Sequence, residues 1–241
     1  MPQWERFGHE HVQRYQFALP FVQGKRVIDV GCSNGYGAEL LAGHGAREVS
    51  GVDYNPDVVA EARQRTAELP NLAFQVADCF NLPAELGKFE TAVCFEVLEH
   101  ISAPEALLAG IANCLVPGGY LVLSTPNTLQ FQRHPTRPME NEFHVSEMDH
   151  QQLLAVVGKH FIVVGQWEQS PALHGHLAGQ VELLQASWVF RLEQLLRRAL
   201  GRPLLRAEPF SPPFPERTVI TPLYSNRFKD CMQFVLVLRK R

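Results

Sequence analysis

Six short apolar runs alternate with turns and helical stretches along residues 26–167, and that alternation leaves few folds open to the chain. Arg26–Val30, Glu48–Asp53, Leu72–Val76, Thr91–Phe95, Tyr120–Ser124 and Phe161–Trp167 read as strands. Tyr36–Ala42 reads as a helix, and Asn55-Pro56 supplies an N-cap and a first-turn proline for another reaching about Thr66. Ser102-Ala-Pro-Glu105 has capping-box spacing for a helix ending near Leu115, and Ser146 with Asp149 opens one more. The strands are almost continuously apolar, which predicts burial on both faces and therefore an α/β fold, a doubly wound, mostly parallel sheet. Cys231–Leu238 reads as a seventh strand.

The alternation stops between residues 169 and 229. A helical pattern over Val181–Leu200, apolar at Leu184, Trp188, Leu192, Leu195 and Leu196, is followed there by a proline-rich stretch, 203–222. The organisation expected is an N-terminal lid helix within 1–23 and an α/β core at 24–168. An insertion at 169–229 then covers the substrate end of the sheet, as acceptor pocket or homo-oligomer contact, and the final core strand lies within 230–241. With 241 residues, 46% of them hydrophobic and 20% charged, the chain can bury a core without cross-links, which excludes a disordered or fibrous class. Phe161–Val164 and Phe234–Leu238 are too short to cross a bilayer, and the first fifteen residues hold no secretory-type apolar run. Cys32, Cys79, Cys94, Cys114 and Cys231 include no C-x-x-C pair, so neither a disulfide framework nor a structural zinc is expected, and a reduced, cytoplasmic setting is. Residues 191–241 carry +7 and the remainder −10. The basic end either faces an anionic partner or is a solvated surface packing on an acidic body.

A parallel sheet of this kind binds its ligand outside the carboxyl ends of its strands. Strand one ends in Asp29-Val-Gly31-Cys-Ser-Asn-Gly35-Tyr-Gly37, strand two in Asp53, and Asp78 follows strand three. Glycine allows the sharp turn and close backbone approach such a loop needs. The spacing is not G-x-G-x-x-G, because Ser33 and Tyr36 stand where the second and third glycines belong, and this disfavours an NAD-dependent oxidoreductase. Asp53 suits two ribose hydroxyls, although it could equally be a helix cap. Asp78 suits an exocyclic adenine amine, and Asp29 with the open loop suits an ammonium group better than a pyrophosphate.

V-I-D-V-G-C-S-N-G-Y-G, V-D-Y-N-P, V-A-D-C-F-N-L-P, F-E-V-L-E-H-I and L-V-P-G-G-Y-L-V-L-S-T-P-N follow one another over residues 26–127. In this order they resemble the successive motifs of class I S-adenosylmethionine-dependent methyltransferases, with Ser33 departing from the usual glycine. The resemblance implies a seven-stranded Rossmann-like methyltransferase sheet whose last strand is antiparallel, and S-adenosylmethionine as cofactor. It implies that Gly31, Cys32 and Gly35 line the methionine part, Asp53 and Tyr54 the ribose side, and Asp78 with Cys79 the adenine.

Methyl transfer from a sulfonium is an in-line displacement, so much of the catalysis is positioning. A hydroxyl acceptor must also lose a proton, to a base or with the help of a metal. Glu96, Glu99 and His100 stand at i, i+3 and i+4 and would share a face if helical, and His144 could reach the same mouth. One reading makes His100 or His144 a general base with Glu96 in support. Another has Glu96, Glu99, His100 and His144 bind a divalent ion, the set suiting Mn²⁺, Fe²⁺ or Zn²⁺. A third leaves them structural. The E-x-x-E-H run with a later His resembles metal-dependent small-RNA 2′-O-methyltransferases and ubiquinone-biosynthesis O-methyltransferases.

In Glu10-His11-Val-Gln-Arg14-Tyr15-Gln-Phe17, helical spacing places His11, Arg14 and Tyr15 on one side. The resemblance implies a lid that brings Tyr15, with Arg14, to the cofactor's methionine end. Anchoring of the helix by Trp4, Tyr15 and Phe17 is the competing account. E-H-V-Q-R-Y-Q-F-A-L-P-F-V-Q-G-K-R-V-I-D-V, N-E-F-H-V-S-E-M and K-H-F-I-V-V-G-Q are similar to a bacterial subgroup that modifies saccharides and natural products. An O-methyltransferase with a small-molecule acceptor is therefore expected, with Arg202, Arg206, Arg217 and Arg227 shaping an anionic pocket or merely solvated. An RNA 2′-O-methyltransferase would need a continuous basic groove, which the acidic body disfavours. A non-catalytic scaffold would share the cofactor motifs but has no need of Glu96, His100 and His144 together. No nucleic acid or membrane partner is expected.

Overall fold

The computed structural model describes residues 9–82, 86–131, 143–171, 218–223 and 233–241. Its helices are α1 (His9–Val22), α2 (Tyr36–Gly43), α3 (Pro56–Arg65), α4 (Pro104–Cys114), α5 (Thr128–Phe131) and α6 (His150–Val157). Its strands are β1 (Arg26–Val30), β2 (Glu48–Asp53), β3 (Leu72–Val76), β4 (Phe89–Phe95), β5 (Leu115–Pro126), β6 (Phe161–Pro171), β7 (Thr218–Pro222) and β8 (Gln233–Lys240). They form one sheet in the order β3-β2-β1-β4-β5-β8-β6-β7. From β3 to β5 all neighbours are parallel, whereas β8 runs antiparallel between β5 and β6. The seven expected strands are present, and β7, drawn from the segment read as insertion, adds an eighth antiparallel to β6. The helical pattern at 181–200, the arginines at 202, 206 and 217, Arg227, Cys231 and Trp4 lie outside the described residues.

The apolar strands supply two cores at once. Ile28, Val30, Cys94, Leu121, Leu123, Phe234 and Leu236 pack with Leu107, Leu108 and Ile111 of α4 and Leu153 and Val157 of α6. Their strand neighbours Val27, Val49, Val93, Val122, Val235 and Val237 pack instead with Val12, Phe17 and Ala18 of α1, Leu41 of α2 and Ala62 of α3. Successive residues of a strand point to opposite faces, so a strand covered on both sides must be apolar throughout.

Helix starts follow local chemistry, with two corrections. Asn55 caps α3 by accepting from Asp57 N at 2.9 Å, with Pro56 in the first turn. The Ser102–Glu105 capping box does not form, because Pro104 opens α4 and leaves Ala103 at the N-cap position. α6 begins at His150 rather than near Ser146. Asp149 and Gln152 form its capping box, while Ser146 Oγ donates to Leu98 O at 2.8 Å.

Candidate functional site

The carboxyl ends of β1, β2 and β4 meet on one edge of the sheet, and the loop leaving β1 is wound tightly over it. Gly31 and Gly35 both have positive φ, 77° and 82°. A Cβ at Gly31 would stand 2.4 Å from Val97 Cγ2, and one at Gly35 2.4 Å from Phe74 Cζ, so neither site accepts a larger residue. Ser33 takes the left-handed region at φ 48° despite its side chain. That turn lets its N–H donate to Asp53 Oδ2 at 2.9 Å, while Asn55 N donates to Oδ1 at 3.0 Å. Asp53 therefore joins the β1 and β2 loops and is not the α3 cap. Tyr54 beside it is 81% exposed. Asp78 accepts from Phe80 N at 2.9 Å, and Cys79 is half-buried, its thiol pushed up by burial and by Asp78. Cys32 is buried beneath the loop, and burial raises its thiol pKa as well.

α1 crosses this loop. The Tyr15 ring lies on Gly37, where an added Cβ would stand 1.9 Å from Cζ, and meets Tyr36 and Phe95 edge-on at 5.4 and 5.0 Å. Its hydroxyl donates to both oxygens of Asp29, at 3.2 Å each. Asp29 is fully buried, and burial, reinforced by Asp53, pushes its pKa up to about 7 against the opposing Tyr15 hydrogen bond. One turn from Tyr15, Arg14 is also fully buried. Its Nη1 donates to Gln169 Oε1 at 2.9 Å and to Gln233 Oε1, and stands 3.6 Å from Glu96 Oε1. Nε and Nη2 of Arg14 find no acceptor among the described residues. His11, at the end of the same stripe, has its pKa lowered by partial desolvation and by Arg14, with Glu96 and Glu10 acting the other way.

Residues 96–100 do not form the α-helix their spacing suggests. β4 ends at Phe95, Glu96 turns to φ 54°, and a single 3-10 turn follows at Leu98–His100. Glu96 consequently leaves the face of Glu99 and His100. Its Oε1 accepts from Ser124 Oγ at 2.7 Å and its Oε2 from Gln233 Nε2 at 2.6 Å, beside Arg14. The proposed four-ligand set is thereby reduced to three: one ligand atom each of Glu99, His100 and His144 lie within 4.8 Å of one another. Val145 N and Ser146 N both donate to Glu99 O, at 2.8 and 3.0 Å, and this clamp brings His144 over His100. The two rings stand edge-to-face at 4.8 Å.

Each histidine is oriented through Nδ1. His100 Nδ1 lies 2.8 Å from Phe143 O and His144 Nδ1 2.6 Å from Glu147 Oε1. A carbonyl can only accept, so the His100 Nδ1 carries the proton and its basic nitrogen is Nε2. The Glu147 carboxylate imposes the same tautomer on His144. Glu99 accepts from Thr125 Oγ1 at 3.1 Å, and burial, aided by the Glu96 charge, pushes its pKa up to about 8. Two imidazoles braced at Nδ1 beside a buried carboxyl fit a divalent transition ion, which would displace the Glu99 proton. Sequence reasoning missed Gln169 and Gln233, which hold Arg14 and Glu96, and Glu147, which orients His144. Only the short H-V-S-E spacing could have signalled Glu147; the glutamines arrive from β6 and β8 and carry no local signal.

The family model described as a methyltransferase domain matches residues 4–160. A Mycobacterium tuberculosis protein described as a probable S-adenosylmethionine-dependent methyltransferase is 32% identical over 147 residues, covering 61% of this chain and 52% of that protein. A ubiquinone biosynthesis O-methyltransferase of Xanthomonas euvesicatoria is 41% identical over 106 residues, covering 43% and 44%. The chain thus spans about half the length of these curated relatives. Among solved structures, the N-methyltransferase NodS of Bradyrhizobium japonicum with S-adenosyl-L-homocysteine superposes at TM-score 0.60 with 13% identity, covering 97% of this chain and 88% of that one. The [4+2]-cyclase SpnF does so at 0.60 with 18% identity, covering 96% and 80%. At such identities the likeness concerns the fold. Among the described residues no helix is long and apolar enough to cross a membrane.

Proposed function

The chain belongs to the class I S-adenosylmethionine-dependent methyltransferases, and from that premise we propose that it methylates a hydroxyl of a small molecule, a saccharide or another natural product. In this reading the Asp53 oxygens, already held by two backbone N–H groups, take the ribose hydroxyls. Gly31, Cys32 and Gly35 line the methionine chain, Asp29 with Tyr15 meets its ammonium, and the two unpartnered nitrogens of Arg14 meet its carboxylate. Tyr54 borders the ribose side, and Asp78 and Cys79 the adenine. The fold by itself does not select the reaction, since a cyclase shares it.

The observation that supports the O-methyl assignment is the His100–His144 ring pair, each ring held through Nδ1, which makes Nε2 the nitrogen that would take the acceptor's proton. The acceptor oxygen attacks the methyl carbon, the carbon–sulfur bond breaks in line, and the hydroxyl proton passes to an imidazole Nε2. The O-methyltransferase relative at 41% identity supports the same acceptor atom. A second reading, favoured by the Glu99–His100–His144 cluster, has a divalent ion lower the acceptor's pKa instead.

Calorimetry should give a Kd for S-adenosylhomocysteine that NADH does not match. Transfer of labelled methyl from S-adenosylmethionine to a panel of catechols and saccharides should then fall about 10²–10⁴-fold in His100→Ala or His144→Ala. Full rates in both variants would remove the base role. Activity unaffected by EDTA would remove the metal.

A further inference from the structure

Asp29 is an under-supplied carboxyl group. A carboxylate offers about four acceptor positions, yet the one side-chain donor reaching Asp29 among the described residues is the Tyr15 hydroxyl, a single hydrogen shared between two oxygens 3.2 Å away. No basic side chain forms an ion pair with it among the described residues. The charges and titratable groups around it are Tyr15 of α1, Tyr36 of α2, Cys32 of the loop, Asp53 of β2 and Cys94 of β4. None brings a positive charge, and Asp53 repels it. An isolated carboxyl group in such a setting keeps its proton until a cation arrives.

We propose that Asp29 holds a proton in the cofactor-free protein and surrenders it to solvent when the cofactor's ammonium group docks, so that cofactor binding and proton release are one event, tuned by Tyr15. This rests on the cofactor assignment made above and extends it to the regulation of that site. The buried geometry sets the direction, and the raised pKa of Asp29, about 7, sets where it operates. Tyr15 counteracts the burial by stabilising the carboxylate, so α1 governs the pH at which the site becomes competent.

The test is calorimetry of S-adenosylhomocysteine with the full chain at pH 6, 7 and 8. At pH 6.5 the titration is repeated in phosphate and imidazole buffers, whose ionisation enthalpies differ. With a midpoint of about 7, affinity should be about tenfold weaker at pH 6 than at pH 8, and roughly three-quarters of a proton should be released at pH 6.5. Asp29→Asn should bind with one affinity across the range and release no proton. Tyr15→Phe should keep the dependence but move its midpoint to higher pH. A pH-independent affinity with no proton release in the native protein overturns the proposal while leaving the methyltransferase reading intact. Persistence of the dependence in Asp29→Asn assigns it to another titrating group, Glu99 or a histidine, and also overturns the proposal. Failure of S-adenosylhomocysteine to bind at any pH overturns the cofactor assignment itself.

Discussion

Ser33 and Glu96 are the two described non-glycine residues whose backbones take positive φ. Each costs about 1–2 kcal/mol relative to an ordinary conformation, and each turn aims one polar group at the site. Ser33 delivers its N–H to Asp53, and Glu96 swings its carboxylate to Ser124, Gln233 and Arg14. Asp29 stores free energy differently, through its proton. Its folded pKa, about 7, exceeds the ordinary 3.8. Its stabilising contribution is thus fully present below the unfolded value and is lost as pH rises through the folded one. The wild-type protein should therefore lose on the order of 2–4 kcal/mol between pH 5 and 8 from this group. Asp29→Asn should remove this share of the loss and leave the part that Glu99, also raised, contributes. Thermal denaturation at both pH values checks this, and parallel curves would refute it.

At the scale of elements, α1 is a wall of the core and, in the proposed reading, also a lid. Val12, Phe17, Ala18 and Val22 belong to the core beneath it, while Arg14 and Tyr15 reach the site from the same helix. Deleting the helix would remove both roles together, so a finer probe is Gly37→Ala. The new Cβ would overlap the Tyr15 ring at 1.9 Å and must displace either the ring or the helix. The far-ultraviolet circular dichroism should stay native while S-adenosylhomocysteine affinity falls about tenfold, about 1.4 kcal/mol. Unchanged affinity would show that Tyr15 does not touch the cofactor site. The 3-10 turn at Leu98–His100 and the 143–146 loop form a second composite element, joined by backbone bonds from Val145 and Ser146 to Glu99 O. That clamp, and not helical spacing, brings His100 and His144 together.

For the whole molecule, the proposed ligand binds where β1, β2 and β4 end, and every one of these strands belongs to both cores. Occupancy should accordingly stabilise the entire fold. At a hundredfold excess over Kd, S-adenosylhomocysteine should add about 2.7 kcal/mol and raise the melting temperature by about 5–10 °C. NADH at equal concentration should leave it unmoved, and an equal shift with NADH would point to a different ligand. The strand–helix alternation, the glycine loop and the strand-end acids were legible in the residues. Each depends on near neighbours: β-branched runs for strands, Asn55-Pro56 for a helix start, glycines where φ must turn positive. The eighth strand was not legible, because its edge pairing with β6 depends on where residue 222 meets Trp167. Nor was the division of the E-x-x-E-H run, where spacing suggested one helical face. Tertiary structure decided it, because Glu96 could find Arg14, Ser124 and Gln233 only after α1, β5 and β8 had assembled around it. Local chemistry sets which elements form and where the chain can turn. Contacts between residues 28 to 137 positions apart set which side chains meet, because a buried polar group takes its partner from whatever the packed elements bring within reach.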